Sequence, residues 1–278
     1  MTLLTASLAL LLMQVGPNPS TGAMPGIPEE LADRPPREGA ADPVAPARLG
    51  SCLRQAANTP QAALDYAQAW RETASTDLEM AQSSHCLGLA LVQLGRLSEA
   101  REIFELASAE APVDNLAYSA RLTAMAGNAA LSQQDLDSAL DLLDRAGGKA
   151  LAAGDGALAA DLRVDLARVL VRLDRPEDAA AALTEAREAD GDDPQAWLLS
   201  ATLSRRLSRL GEAEEQIERA ALLSPRSAQV GLEAGVIAAL SGREFDARGS
   251  FNSVLEVAPD SPQAEQARTY LSQLDASE

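Results

Sequence analysis

Residues 87–112 read LGLALVQLGRLSEAREIFELASAEAP. The same spacing returns in residues 201–225, ATLSRRLSRLGEAEEQIERAALLSP, and in residues 235–259, GVIAALSGREFDARGSFNSVLEVAP. Aligned on Ala100, Ala213 and Ala247, each stretch has a small residue twelve back: Gly88, Ala201 and Gly235. A bulky apolar residue stands four ahead (Phe104, Ile217, Phe251), a small apolar one seven ahead (Ala107, Ala220, Val254), and a proline twelve ahead (Pro112, Pro225, Pro259). This spacing predicts two antiparallel helices. The small residue lets the second helix approach closely at the central alanine, and the bulky residue fills the gap between neighbouring hairpins. The proline then ends the second helix.

Weaker copies extend the pattern. Ser51, Gly127 and Ala167 stand twelve before Ala63, Ala139 and Ala179, giving six central alanines in all. Their separations are 37, 39, 40, 34 and 34 residues, with insertions around Ala111 to Leu116 and Gly147 to Gly156 that should lengthen helices or loops. After Pro259, the segment 261–274 reads as one further helix, opened by a Ser261-Pro262 cap and carrying Tyr270, Leu271 and Leu274 on an apolar face. A stack of hairpins needs such a solvating end.

The repeat resembles the tetratricopeptide repeat, whose period is about 34 residues. The resemblance covers the chain from about Arg48 to the C-terminus and implies an all-α fold: a right-handed α-solenoid of antiparallel helix hairpins with a C-terminal capping helix. Of the motif's first-helix aromatic, only Trp197 survives.

Composition agrees with a helical reading and narrows the function. The 278 residues are 46% hydrophobic but 3% aromatic, and the formal net charge is −18. So few aromatics argue against a β-sandwich and against platforms that stack single-stranded bases. The charge disfavours nucleic-acid backbones and anionic lipid, so no nucleic-acid partner is expected. One histidine and two cysteines nearly exclude metal sites built on those ligands. No phosphate loop, dinucleotide fingerprint, nucleophile elbow or metalloprotease helix is present. His85 adjoins Cys86, but neighbours on a helix point about 100° apart and nothing nearby completes a catalytic set. We therefore expect no catalytic residues, metal or cofactor, and a surface or groove-lining role for His85.

The N-terminal region reads differently. Leu3 to Met13 is an apolar run too short to span a bilayer, which needs about 20 residues, but suited to the core of a secretory signal. Thr21 and Ala23 offer a cleavage site, although no Lys or Arg precedes the run. Eight of the fifteen prolines fall between Gly16 and Ala47. Residues 1–23 are thus read as a signal peptide, 24–47 as a disordered proline-rich linker, and 48–278 as the repeat domain of about six repeats plus the cap helix. Leu49-Gly50-Ser51-Cys52 resembles a lipobox, but Pro43, Pro46 and Arg48 separate it from the apolar run. A bacterial, periplasmic location is expected, with a cytoplasmic one as the alternative. In an exported chain the even cysteine count favours a Cys52–Cys86 disulfide, a staple worth about 3 kcal/mol; two buried thiols are the alternative.

The resemblance also implies where a partner binds. In this family the first helices of the hairpins line a groove for extended or helical segments, with no cofactor. Carried over to this chain, the groove positions are Gln82, His85, Leu89, Arg121, Asn128, Arg168, Arg172, Gln195, Arg205, Arg206, Gln229 and Leu232. Five arginines in an acidic chain suggest a protein or peptide partner presenting an acidic segment or C-terminal carboxylate. Asn128 holds the asparagine position of the family's carboxylate clamp, but Ala124 stands where that clamp has a basic residue, so the full clamp is absent. Asp161, Asp165 and Arg168 are spaced for pairing within the protein, which would make the arginines charge-balanced scaffold surface. The reading is a non-catalytic adaptor. A structural subunit of an envelope assembly is the alternative, and an enzyme with an unrecognised site a further one.

Overall fold

A computed structural model describes residues 46–276; the expected signal peptide, and the expected linker up to residue 45, lie outside the described residues. Among the described residues there are thirteen helices and no strand. They form six hairpins: α1 (Pro46–Asn58) with α2 (Pro60–Thr73), α3 (Asp77–Gln93) with α4 (Leu97–Glu110), and α5 (Leu116–Ser132) with α6 (Leu136–Ala152). Next come α7 (Gly156–Arg172) with α8 (Pro176–Ala189), α9 (Pro194–Arg206) with α10 (Leu210–Leu223), and α11 (Ala228–Leu240) with α12 (Glu244–Val257). The final helix, α13 (Pro262–Asp275), packs on α11 and α12. The first helix therefore opens at Pro46, inside the stretch assigned to the linker.

Each second helix packs on its own partner and on the first helix of the next hairpin, and α1 meets α3, α7 meets α9 and α9 meets α11. This is the solenoid arrangement expected from the repeat. All six central alanines are 0% exposed, as close helix approach requires. At Gly88 and Gly235 the approach is tightest: a Cβ there would lie 2.5 Å from Phe104 Cε1 and 2.3 Å from Phe251 Cε1. The bulky residue of the motif thus sits directly over the small one of the same hairpin.

The first hairpin departs from this register. Ser51 is exposed, and the neighbouring Cys52 is the buried side chain, its Sγ 4.0 Å from the carbonyl of Ala63. The physical reason is that Ala67 stands where the other hairpins carry a bulky residue, so the helix turns a slightly larger side chain inward. The insertion after Gly147 lengthens α6 to 17 residues, against 14 in every other second helix, while α5 and α7 match the 17 residues of α3.

Helix starts are capped by side chains. Thr76, Asn115, Asp135, Asp155, Asp193, Ser227 and Ser261 each accept a backbone N–H of the first turn. The apolar core runs continuously from Cys52 to Leu203 and then gives way to smaller clusters around Ile217 and Phe251. One polar seam interrupts it between α4, α5 and α6. There Lys149 Nζ donates to Ser108 Oγ at 2.7 Å, Thr123 Oγ1 at 2.9 Å and Ser119 Oγ at 3.0 Å. No described helix is long and apolar enough to cross a membrane.

Candidate functional site

The first helices present a polar surface whose outer positions are Arg121 and Asn128 on α5, Arg168 and Arg172 on α7, Gln195, Arg205 and Arg206 on α9, and Gln229 on α11. Arg121, Asn128, Arg168, Arg172, Arg206 and Gln229 are exposed, while Gln195 and Arg205 are half-buried, like Leu89 and Leu232. Because α7 and α9 adjoin, four of the five arginines lie on two neighbouring helices.

Most of these cations have partners within the protein. Arg121 Nη2 lies 2.9 Å from Asp155 Oδ2, Arg168 Nη1 2.5 Å from Asp165 Oδ1, and Arg205 Nε 2.5 Å from Glu233 Oε1. Arg172 Nη2 donates to Gln134 Oε1 at 2.6 Å. Arg206 makes no hydrogen bond or ion pair among the described residues. The more exposed pairs, those of Arg121 and Arg168, are worth only about 0–1 kcal/mol, so an incoming carboxylate can exchange for one at little cost, whereas Arg205 and Glu233 are half-buried. Asp155 and Glu233 were not singled out from the sequence. Their positions on or beside the following first helix, close to one repeat from Arg121 and Arg205, carried the signal.

Asp161, beside this surface, has its carboxyl held above the ordinary aspartate range. Burial is the main cause, followed by repulsion from Asp193, Asp165 and Asp190. No group of described His, Cys, Asp or Glu side chains is arranged to hold a metal ion.

Two expected groove positions are corrected. Gln82 and His85 are 8% and 7% exposed, so neither lines an open surface. His85 is enclosed because its ring sits between Phe104 (centroids 6.4 Å apart) and Tyr118 (5.9 Å), and its Nδ1 lies 3.1 Å from the Tyr118 hydroxyl. Burial pushes its pKa down to about 4. Since the folded value lies below the unfolded one of about 6.5, the unfolded chain binds the extra proton between the two. The contribution is fully present above about pH 6.5 and is lost as pH falls through about 4, by about 1 kcal/mol per pH unit. Urea denaturation from pH 7 to 4 should show this slope, and His85→Phe should flatten it.

Cys52 on α1 and Cys86 on α3 are both 0% exposed and adjoin, with Cα atoms 6.0 Å apart, within the range a disulfide needs. Beside them, Arg71 of α2 forms a bidentate pair with Glu110 of α4, and Ser84 of α3 donates to the same carboxylate at 2.9 Å. Burial alone would raise the Glu110 pKa, but the hydrogen bonds from Arg71 and Ser84 hold it below its ordinary value.

Residues 164–228, spanning α7 to the start of α11, match the family model of the tetratricopeptide repeat. No curated protein matches the chain. Among solved structures it is similar to YrrB, described as a TPR protein with an unusual peptide-binding site, at 24% identity and TM-score 0.50 over 68% of this chain and 92% of that one. It is also similar to PilF of Pseudomonas aeruginosa (15%, TM-score 0.58, 81% and 98%) and to BtubC of P. vanneervenii (13%, TM-score 0.59, 75% and 90%). At these identities the likeness is one of fold.

Proposed function

We propose that the chain uses its tetratricopeptide repeats as a non-catalytic scaffold, holding a segment of a partner protein along the first helices, and that it works outside the cytoplasm. The observation that carries this reading is the gathering of Arg168, Arg172, Arg205 and Arg206 on two adjoining helices in a chain of net charge −18. Arg172 and Arg206 there have no carboxylate partner among the described residues, and such guanidiniums on an acidic protein attract an anionic segment while the rest of its surface repels one. YrrB, with its peptide-binding site, supports the reading at the level of fold. Non-catalytic interaction is the usual work of such repeats.

The test is fluorescence anisotropy with a labelled acidic peptide of about ten residues and its Gln/Asn counterpart. The acidic peptide should bind at least about tenfold more tightly and weaken as salt is raised. Reversing three charges (Arg168→Glu, Arg172→Glu, Arg206→Glu) should remove most of that preference. Equal affinity for both peptides, or no effect of the reversals, would overturn the reading.

A further inference from the structure

In a tandem repeat each position recurs in the neighbouring hairpins, so side chains at one register form a row across the first helices. Seven residues before the central alanines of the second to sixth hairpins, that row runs Gln93, Ser132, Arg172, Arg206, Leu240. Each is the last residue of its helix, in turn α3, α5, α7, α9 and α11, and each is exposed. The last three stand on helices that adjoin in order, α7 on α9 and α9 on α11. The pair between Arg205 of α9 and Glu233 of α11 ties the second of these junctions.

The two guanidiniums of the row are open to a ligand. Neither lies within ion-pair distance of a described carboxylate. Arg172 donates to Gln134 through Nη2, which leaves the other donors of its fork unused, and Arg206 makes no hydrogen bond among the described residues. The acids of the three helices are engaged or distant. Asp165 is paired with Arg168 and Glu233 with Arg205, while Asp161 lies eleven residues before Arg172, about three turns of helix away. Asp174 and Glu212 belong to the turn after α7 and to α10, off the row. The helix dipole does not account for the arginines either, since α3, α5 and α11 end with no basic residue in their last turn.

Leu240 is the departure at this register. It is 58% exposed, where the preceding four first helices carry Gln, Ser, Arg and Arg. Val236, half-buried one turn earlier, stands where α7 has Arg168 and α9 has Thr202. The surface thus changes from cationic to apolar between α9 and α11. An exposed leucine gains from burial only under something that covers it.

We propose that this row selects an extended segment presenting two carboxylates and then an apolar side chain, one at every third residue. The inference rests on the reading of the arginine face above and names what that face selects. Packed helices stand about 8–10 Å apart. A polyproline II segment has three residues per turn and rises about 3.1 Å per residue, so it returns a side chain to the same face about every 9 Å. The first carboxylate meets Arg172, the second meets Arg206, and the apolar side chain lies on Leu240 and Val236.

The test is fluorescence anisotropy of the full chain with three peptides carrying an uncharged dye, N-acetylated and C-amidated so that glutamate supplies their only carboxylates. EPAEPAL has the proposed order, EPALPAE the same residues with leucine between the acids, and QPAQPAL no charge. EPAEPAL should bind at least about fivefold more tightly than EPALPAE and at least about tenfold more tightly than QPAQPAL. Leu240→Ser, which installs the residue α5 carries at this register, should abolish the first preference and keep the second. Its Tm should not change, because the side chain is largely exposed. Arg172→Gln and Arg206→Gln should each weaken EPAEPAL at least about fivefold. Equal affinity for EPAEPAL and EPALPAE, with QPAQPAL weaker than both, would overturn the row and leave the arginine face standing as a site for anionic segments. Persistence of the first preference in Leu240→Ser would overturn the row as well. No preference for either acidic peptide over QPAQPAL, up to about 1 mM, would overturn both readings.

Discussion

Phe104→Ala and Gly88→Ala should both destabilise the protein, for opposite reasons. The first removes a ring that is 1% exposed and should cost about 3–5 kcal/mol, the lost burial plus the cavity left behind. The second adds one methyl group. On an exposed helix face that change stabilises by about 1 kcal/mol, and Gly148, with nothing within 4 Å of its added Cβ, should show it. At Gly88 the same methyl would lie 2.5 Å from Phe104 Cε1. The ring is enclosed and cannot swing away, so overpacking of about 1–3 kcal/mol should outweigh the helix-propensity gain. Gly127, whose added Cβ would lie 3.1 Å from Leu143 Cγ, should fall between these cases. Urea denaturation of the three glycine variants gives the ordering. Combining Gly88→Ala with Phe104→Leu should be less damaging than the sum of the two, because the shorter side chain vacates the space the methyl needs. If Gly88→Ala stabilises as Gly148→Ala does, the close approach is not part of the folded state.

The same contact shows what the sequence could and could not say. Gly88 and Phe104 were legible because the pair recurs sixteen residues apart in the sixth hairpin, as Gly235 and Phe251, where the same geometry must be solved again. The first hairpin offers no such copy: Ala67 replaces the bulky residue, and which of Ser51 and Cys52 turns inward then depends on how α1 settles against α2 and α3. His85 was misplaced for a related reason. Its position on α3 faces the groove by register, but Tyr118, thirty-three residues away on α5, closes over it. The pairing of Arg168 with Asp165 was legible from its spacing, but those of Arg121 and Arg205 were not. Their partners Asp155 and Glu233 lie one hairpin further along, where rotamers and helix ends decide contact.

Opening the Cys52–Cys86 pair should lower stability by about 3–4 kcal/mol and should act on one end of the protein. The two cysteines are 34 residues apart in sequence, so a bond between them restricts the unfolded chain by an amount that loop entropy places in that range. The helix that carries Cys52 has the least support: α1 packs on α2 and α3 alone, with no hairpin before it among the described residues. In a one-dimensional stack the terminal unit opens first. Native-state hydrogen exchange of Cys52→Ala, Cys86→Ala should therefore show amides of α1 and α2 losing protection while those of α5 to α10 keep theirs. Intact mass of natively expressed protein supplies the other half of the test. A gain of two hydrogens on reduction, in a chain lacking its first twenty-odd residues, is the result expected of an exported protein, since such bonds persist in oxidising compartments. A full-length chain with two free thiols would place the protein in the cytoplasm. Buried and 6.0 Å apart at Cα, the cysteines would then act as small apolar residues, and hairpin α1–α2 would rest on its other buried residues, Ala56, Ala63, Leu64, Ala67 and Trp70, and on the Arg71–Glu110 pair. In that case the double alanine variant should change exchange in α1 little, because a thiol buried against Ala63 adds only about one methyl group of packing.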